Sequence, residues 1–312
     1  MNEPRVDVVV VTYNQKKYIR ECLESVLAQD YPNIHIFIAD DCSTDGAVEI
    51  LEQYKKKYPD KIDLLLAEKN EGITKNSGRA HPFLEGQFLC LLAGDDLMRH
   101  DRVRKQVEAL QNSPTSAGCM SNVEVFCSDE DFATGQFGDV QRYISSNPDF
   151  TSCSPKRIIA TYNQIPSSSL MINRNVFKDY YYDDRTPVVS DWLLVNKVAL
   201  AGLVYIQEPL LFYRRHSSNT TQRGVDKIYL EDRLIAIDLL FAQTGTYYFS
   251  CKRARANVYL QTSSRYFVEK KYQPDVKFLF YSFLESPLNK KLYQLPLKFL
   301  IKGLRGWVSG RF

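Results

Sequence analysis

Four short apolar segments, each followed by a helical pattern, occupy the first third of the chain and restrict the folds open to it. The first, VDVVVVTY (6–13), is an almost continuous β-branched run, which is typical of a strand buried on both faces. IHIFIADD (34–41), IDLLLAE (62–68) and FLCLLAG (88–94) follow the same pattern. Strands that alternate with helices predict an α/β fold with a doubly wound, mostly parallel sheet.

Helical patterns occur between the strands and continue into a second, helical part of the chain. Apolar spacing predicts helices at 16–29, 47–57, 76–84, 101–111, 190–202, 225–243, 246–270, 275–284 and 288–304. Further strands are predicted at 117–126, at 167–173 and as two short segments around Pro209. Residues 128–154, rich in Ser, Asp, Gly and Asn, predict a long loop. This pattern indicates a large domain, 1–222, followed by a helical, basic extension, 223–312.

Paired acids follow two of the predicted strands. Asp40 and Asp41 end the second strand, and Asp95 and Asp96 follow the fourth. Ligands of doubly wound sheets bind outside the carboxyl ends of the strands, where these acids would meet. Carboxylates suit Mg²⁺ or Mn²⁺, and such ions take their remaining ligands from substrate phosphates. Either pair alone is also compatible with a solvated turn or a helix cap.

Charge and composition exclude several other classes of protein. The net charge of +3 does not indicate a nucleic-acid partner. The sequence contains neither GxxxxGK[ST] nor GxGxxG, so a P-loop ATPase and a Rossmann dehydrogenase are not expected. Seven cysteines without a CxxC pair indicate a reduced, cytoplasmic protein. We expect no signal peptide, and no apolar run reaches the roughly 18 residues of a transmembrane helix.

Several motifs together resemble the family 2 glycosyltransferases, which have a GT-A fold. The stretch VVVVTYNQKKYIRECLESVLAQDYPNIHIFIADDCSTDG resembles their opening, in which the second strand ends in DDGSTD. NEGITKN (70–76) and LLAGDDLMRHDRVRKQ (91–106) resemble their later motifs, the second being the metal-binding region. The resemblance covers residues 5–125 well and 165–220 more loosely. It implies a GT-A catalytic domain with a nucleotide-sugar half, 1–116, and an acceptor half, 117–222.

The resemblance also implies a donor site and a metal site. The implied nucleotide-sugar residues are Thr12, Tyr13, Asn14, Asp41, Lys75, Asn76 and Asp95. Among these, Asp41 would accept a hydrogen bond from N3–H of uracil or thymine. Asp96 and Asp95 would bind Mn²⁺ or Mg²⁺, and which of them is the main ligand stays open. The family's first acid would fall at Ala93, so this chain departs from the full acidic motif.

Three further segments of the resemblance concern the acceptor side. In SDWLL, Asp191 would be the general base, although an acid at a helix start is also favoured by the helix dipole. Trp192 would stack on the acceptor sugar, and Ser168 would line the acceptor site. FYRRHSSN resembles the family's YRxHxxN segment, in which His216 would be a further metal ligand or contact the donor diphosphate.

The C-terminal segment is aromatic, leucine-rich and cationic. After Glu285 the sequence contains six lysines and arginines and no acid, with Trp307 near the end. Apolar and basic faces with interfacial aromatics are typical of a helix on an anionic membrane. The alternative is a tail that packs on the catalytic domain, and Pro296 argues against one unbroken helix. The first reading predicts a peripheral protein on the inner face of the plasma membrane.

These features predict an inverting, metal-dependent sugar transferase. It would use a nucleotide-diphosphate sugar, with UDP favoured over dTDP, and a saccharide or polyprenyl-diphosphate-linked acceptor. The expected setting is the synthesis of a cell-surface polysaccharide such as O-antigen or capsule. One alternative is a nucleotidyltransferase, although the glycine-rich basic loop of such enzymes is absent from VVVVTYNQKKY. Another is a non-catalytic subunit that binds nucleotide sugars.

Overall fold

A computed structural model describes residues 3–127, 159, 166–179, 182–216, 219, 227–244, 247–268 and 272–288. The chain divides into two compact units, Met1–Cys153 with Ile165–Asn219, and Ser154–Gln164 with Thr220–Phe312. This division falls near the boundary expected after residue 222. The halves 1–116 and 117–222 are functional assignments and stay predictions.

An eight-stranded sheet forms the centre of the first unit. Its strands are β1 (Val6–Thr12), β2 (Ile34–Asp40), β3 (Ile62–Leu66), β4 (Phe88–Ala93), β5 (Leu97–Met98), β6 (Gly118–Cys127), β7 (Met171–Asn173) and β8 (Leu203–Arg215). They lie in the order β3-β2-β1-β4-β7-β6-β8-β5. The pairs among β3, β2, β1 and β4 and the pair β6–β8 are parallel, whereas β7 and β5 are antiparallel to their neighbours. The predicted α/β fold with a mostly parallel sheet is confirmed.

Within its described residues this unit contains five helices: α1 (Ile19–Leu27), α2 (Ala47–Lys57), α3 (Ile73–Gly78), α4 (Arg102–Gln111) and α5 (Ser190–Leu200). Short 3-10 turns lie at His81–Phe83 and Ser167–Ser169. The helix predicted at 76–84 is therefore α3 followed by a separate turn, and the strand predicted from 167 begins at 171. The two strands predicted around Pro209 are one strand, because a register shift of β8 against β6 accommodates the proline, which has no N–H.

The core explains why the first strand consists of β-branched residues. Val8, Val9 and Val10 of β1 are all fully buried, so both faces of this strand are covered. On the helix side, Ile19 and Leu23 of α1 are also fully buried. The helices of this unit cover the sheet. The carboxyl ends of β1, β2 and β4 lie at the edge where ligands of such sheets bind.

Among the described residues of the second unit, three long helices are present: α6 (Lys227–Thr244), α7 (Tyr248–Val268) and α8 (Tyr272–Glu285). They match the helices predicted at 225–243, 246–270 and 275–284. No helix in the described part of the chain combines the length and hydrophobicity needed to span a bilayer. The whole loop predicted at 128–154 lies outside the described residues, and so does the helix predicted at 288–304 apart from residue 288.

Candidate active site

The register of the sheet brings three strand ends to one edge. Thr12 at the end of β1 is aligned with Asp40 at the end of β2, and Val11 is aligned with Ala93 at the end of β4. The ladders continue past the strands, because the N–H of Asp41 donates to Thr12 O and the N–H of Gly94 donates to Val11 O. The two acidic pairs therefore lie at the same edge of the sheet, as the sequence predicts.

The first acidic pair holds loops in place. Asp40 is fully buried and accepts hydrogen bonds from the N–H and the hydroxyl of Ser43, at 2.8 and 2.5 Å. Asp41 accepts from the backbone N–H groups of Glu71 and Gly72, both at 2.9 Å. Each carboxylate oxygen of Asp41 has a second lone pair, so contact with a nucleobase is compatible with this arrangement.

Close packing explains the glycine before the second acidic pair. A Cβ atom on Gly94 would lie 2.6 Å from Oε1 of Gln15 and 3.0 Å from Cβ of Thr12. Only glycine fits there without a shift of its neighbours, so Gly94 lets β4 pass close to the end of β1. The chain then delivers Asp95 and Asp96 to the sheet edge.

Asp96 is buried and carries one unpartnered oxygen. Its side chain is 1% exposed, and Oδ1 accepts from the backbone N–H of Arg214 at 3.0 Å. Within the described part of the chain, Oδ2 has no hydrogen-bond partner. Burial, and then the negative charge of Asp95, raise the pKa of Asp96 well above the usual value. A cation beside Oδ2 would relieve both effects.

Asp95 belongs to a buried network with the end of β8. Its Oδ2 lies 2.9 Å from Nε2 of His216 and 3.2 Å from Nδ2 of Asn219, which donates to it. Asn219 also accepts from the N–H of His216 and donates to Arg214 O. The His216 expected as a metal ligand thus directs Nε2 to Asp95, which indicates a role in holding that carboxylate.

Arg214 fastens the end of β8 to the end of β4. Its Nε donates to Asp95 O at 2.9 Å, and its guanidinium forms an ion pair with Glu21. The guanidinium also lies over the rings of Phe126 and Tyr18, 4.5 and 4.9 Å from their centroids. Its contacts therefore fix the backbone of both strands rather than leaving the charge open to a phosphate.

Asp191 lies at the start of α5 with both oxygens hydrogen-bonded. Oδ1 accepts from the N–H of Trp192 at 2.7 Å, and Oδ2 accepts from the hydroxyl of Ser167 at 3.2 Å. Burial raises the pKa of Asp191, while these hydrogen bonds lower it in part. A carboxylate with a raised pKa is better suited to accept a proton than an exposed one.

Trp192 and Ser168, the two residues predicted to bind the acceptor, are both buried. Trp192 is only 3% exposed, so its ring offers no open face for the sugar stacking that was expected. The helix that carries Trp192 is buried from this residue to Ala199, which explains the enclosed ring. Ser168 is 6% exposed and its hydroxyl accepts from the N–H of Ala93 at 3.2 Å. It also lies beside Asp96, whose pKa it lowers.

The remaining predicted donor residues lie around β1 and α3. Thr12 is buried and has an unpartnered hydroxyl among the described residues, whereas Tyr13 is 39% exposed. Asn14 has a left-handed φ of 51° and accepts from the N–H of Thr44. Asn76 uses its amide N–H groups for Thr12 O and Ala39 O, so it bridges β1 and β2. Lys75 is exposed.

The metal assignment depends on the acids after β4. Among the described residues, no group of three or more His, Cys, Asp or Glu side chains forms a metal-binding cluster. Mg²⁺ and Mn²⁺ need fewer, because substrate phosphates and water supply the remaining ligands. The unpartnered, buried Oδ2 of Asp96 fits such an ion, whereas Oδ2 of Asp95 is already engaged.

Sequence reasoning missed two residues that organise the site. The sequence predictions name the neighbouring Ser168 but not Ser167, and they include Asn219 only as the last letter of YRxHxxN. Both are small polar residues near a functional acid in space, and Asn219 is separated from Asp95 by 124 positions in the sequence. The shared motif of Asn219 with His216 is the signal that could have found it.

The sequence profile described as Glycosyl transferase family 2 matches residues 7–181, which is more than half of the chain. The chain therefore belongs to this family, and the resemblance seen in its motifs is confirmed. Family membership also argues against the nucleotidyltransferase alternative.

Curated relatives match only part of their own length. An uncharacterized protein of Mycobacterium tuberculosis is 28% identical over 219 residues, which are 68% of this chain and 59% of that protein. The putative teichuronic acid biosynthesis glycosyltransferase TuaG of Bacillus subtilis is 36% identical over 106 residues, 34% of this chain and 42% of that protein. The chain thus spans less than two thirds of the length of these relatives.

Solved structures share the fold. Residues 1–349 of Staphylococcus aureus TarS superpose with a TM-score of 0.65 at 18% identity, covering 91% of this chain and 81% of that one. The same fragment in complex with UDP-GlcNAc gives 0.63 at 18% identity, with 90% and 81% covered. The mannosyltransferase PcManGT of Pyrobaculum calidifontis, in complex with GDP-Man and Mn²⁺, gives 0.55 at 19% identity, with 98% and 87% covered.

Proposed function

We propose that this chain is an inverting, metal-dependent glycosyltransferase that moves a sugar from a nucleotide-diphosphate donor to a saccharide acceptor. One observation carries the proposal. The turn Ser167–Ser169 places the hydroxyl of Ser167 on Asp191 and the hydroxyl of Ser168 at the end of β4, beside Asp96. A candidate base and a candidate site for the leaving group are therefore connected through one turn.

The donor site lies at the carboxyl ends of β1 and β2. The exposed ring of Tyr13 is available for a nucleobase, and Asp41 retains acceptor capacity for N3–H of uracil or thymine. UDP is favoured over dTDP. The fold is shared with TarS, whose structures with UDP and with UDP-GlcNAc support the proposal of a nucleotide-sugar donor.

Asp96, with Asp95 beside it, would hold Mn²⁺ or Mg²⁺. A divalent ion held by these residues would supply positive charge against the negative charge of the departing nucleotide diphosphate. The complex of PcManGT with Mn²⁺ supports the use of a divalent ion. Among the residues of this chain, His216 and Asn219 orient Asp95, and Arg214 fixes the backbone of both strands.

Asp191 would act as the general base. An acceptor hydroxyl attacks the anomeric carbon, so that a new C–O bond forms as the bond to the diphosphate oxygen breaks. The hydroxyl proton passes to the Asp191 carboxylate, and the nucleotide diphosphate leaves with the bonding electron pair. Ser167 holds Oδ2 of Asp191 in position for this transfer. A single displacement inverts the configuration at the anomeric carbon.

The name of one relative supports the setting that we propose for the reaction. TuaG is named for teichuronic acid biosynthesis, and this supports a role in a cell-surface polysaccharide such as O-antigen or capsule. A polyprenyl-diphosphate-linked saccharide is the acceptor we favour, used by an enzyme attached to the inner face of the plasma membrane. Of the C-terminal tail expected to bind the membrane, residues 289–312 lie outside the described residues.

The test compares Asp191→Asn with the wild type in two assays. Transfer is followed from a panel of radiolabelled UDP- and dTDP-sugars to lipid-linked acceptors, and donor binding is followed by thermal stabilisation with UDP and Mn²⁺. We expect transfer to fall by at least a hundredfold while UDP stabilisation is unchanged. Retained transfer would refute the base. A wild type that binds UDP but transfers nothing would instead favour the non-catalytic subunit.

A further inference from the structure

The end of the α6–α7 hairpin exposes three aromatic rings that touch one another. The two helices are antiparallel, because contacts link Arg233 to Gln261 and Asp238 to Arg255. At the connecting end, Phe241 and Tyr248 lie 5.8 Å apart between ring centroids, and Tyr248 and Phe249 lie 5.4 Å apart. We name Phe241, Tyr248 and Phe249 the aromatic tip.

Packing within the helical unit does not explain these rings. Phe249 is 84% exposed, Tyr248 is 46% exposed and Phe241 is 37% exposed. In contrast, Cys251, Ala254 and Val258 of α7 are buried. These small or medium residues lie three and four positions apart, so they form the face that packs on the other helices. The aromatic tip lies off that face, and a contiguous exposed apolar patch of this kind indicates an interaction surface.

Charge around the aromatic tip selects the kind of partner. Residues 239–268 contain no Asp or Glu, but they contain four basic residues: Lys252, Arg253, Arg255 and Arg265. Arg255 is paired with Asp238 and Glu285. Lys252 lies over the ring of Tyr248, 4.8 Å from its centroid, and Arg253 is exposed one position further along α7. Positive charge therefore flanks the aromatic tip.

We propose that the aromatic tip docks on an anionic lipid bilayer, with Tyr248 and Phe249 at the level of the head groups and Lys252 and Arg253 on lipid phosphates. Aromatic rings favour this interfacial region. Each basic residue near an anionic surface raises the partition coefficient about fivefold. The aromatic tip consists of other residues than the C-terminal tail, and the inference does not depend on the reaction proposed above.

The test is sedimentation of the full chain with sucrose-loaded vesicles of POPG and POPC at 3:7, and of POPC alone. We expect binding to the anionic vesicles that weakens with salt. Phe249→Ser should lower the partition coefficient about tenfold, because it removes the most exposed ring of the aromatic tip. The double variant Lys252→Glu, Arg253→Glu should lower it further. Phe283→Ser, at a 46% exposed phenylalanine of α8 outside the aromatic tip, is the matched control and should bind like the wild type.

A second readout places the residue in the bilayer. With Phe249→Trp, we expect a blue shift of tryptophan emission on anionic vesicles and quenching by brominated lipid, and circular dichroism checks that each variant folds. The proposal is overturned if the wild type does not bind, or if Phe249→Ser and the charge-reversal variant bind unchanged. Concentration-dependent dimers that Phe249→Ser abolishes, without lipid binding, would show instead that a second copy covers this surface.

Discussion

The hydroxyl of Ser167 donates a hydrogen bond to Oδ2 of Asp191, at 3.2 Å. The next residue, Ser168, accepts from the N–H of Ala93, also at 3.2 Å. Two neighbouring hydroxyls therefore connect the start of α5 with the end of β4, which carries the adjacent acids. A change at this turn reaches both the proposed base and the proposed leaving-group site, and its effects can be separated by what is measured.

Removing the Ser167 hydroxyl should shift the pH profile of the enzyme. The hydrogen bond favours ionised Asp191 and lowers its pKa against the effect of burial. In Ser167→Ala the pKa of Asp191 should rise, and a base must be ionised to work, so the acid limb of kcat/KM should move to higher pH. Ser167→Thr retains a hydroxyl and should restore the limb. An unchanged profile in Ser167→Ala would contradict the positioning role.

Replacing Asp96 should stabilise the protein while it weakens metal-dependent donor binding. Burial and Asp95 raise the pKa of Asp96, so ionising it costs more in the folded than in the unfolded chain. At low pH Asp96 is protonated and this cost is absent. As the pH rises, the cost appears and the free energy of unfolding falls. Asp96→Asn should melt a few degrees higher than the wild type at neutral pH. The difference should shrink as pH falls toward the ordinary carboxyl range.

The same Asp96→Asn protein should gain little thermal stability from UDP with Mn²⁺, whereas the wild type should gain several degrees. Asp101→Asn is an unsuitable control because Asp101 is paired with Arg99 and Lys105. Asp60→Asn, at an exposed turn between α2 and β3, is the better one and should behave like the wild type. Equal stabilisation of Asp96→Asn and wild type by UDP with Mn²⁺ would sink the metal assignment.

Truncating Asn219 should raise the KM for the donor. Its amide donates to Oδ2 of Asp95 and to Arg214 O, and it accepts from the N–H of His216. Asn219→Ala leaves these buried groups short of partners and should lower stability by about 1–3 kcal/mol. Because Asp95 loses a hydrogen bond, the affinity for the nucleotide-sugar donor should fall by a larger factor than kcat. The exposed Asn112, just after α4, gives the control Asn112→Ala, which should change neither quantity.

Local patterns allowed the fold to be predicted, and long-range contacts limited what could be said of the site. The valines of β1 and the helix at 47–57 were predictable because burial and periodicity act within a few residues. The irregularity at Pro209 depends on its partner strand β6, so the sequence of β8 alone predicted a break. The side-chain environments of Trp192 and Asn76 depend on which direction each faces in the packed fold.

Resemblance to the family located Asp95, Asp96 and Asp191 but did not distinguish their environments. Oδ2 of Asp95 is hydrogen-bonded by residues more than a hundred positions away in the sequence, whereas Oδ2 of Asp96 has no partner among the described residues. The tie between Asp191 and Ser167 likewise joins two elements, a 3-10 turn and a helix start, that no local pattern connects. Pairings of this kind require the folded chain.

Cys42 provides a test of backbone strain at the donor edge. It stands where the family pattern DDGSTD has glycine, and its φ of 63° lies in the left-handed region that side chains disfavour. Its thiol contacts Glu68 O at 3.6 Å. Cys42→Ala keeps the strain and loses this contact, whereas Cys42→Gly loses both. The glycine variant should therefore be more stable than the alanine variant by about 1 kcal/mol, measured by urea unfolding, which reverses the usual order of these residues.

Cys119 provides the control. It is buried in β6 without a left-handed φ, so its alanine variant should be more stable than its glycine variant. Equal stability of the two Cys42 variants would show that this turn carries no strain.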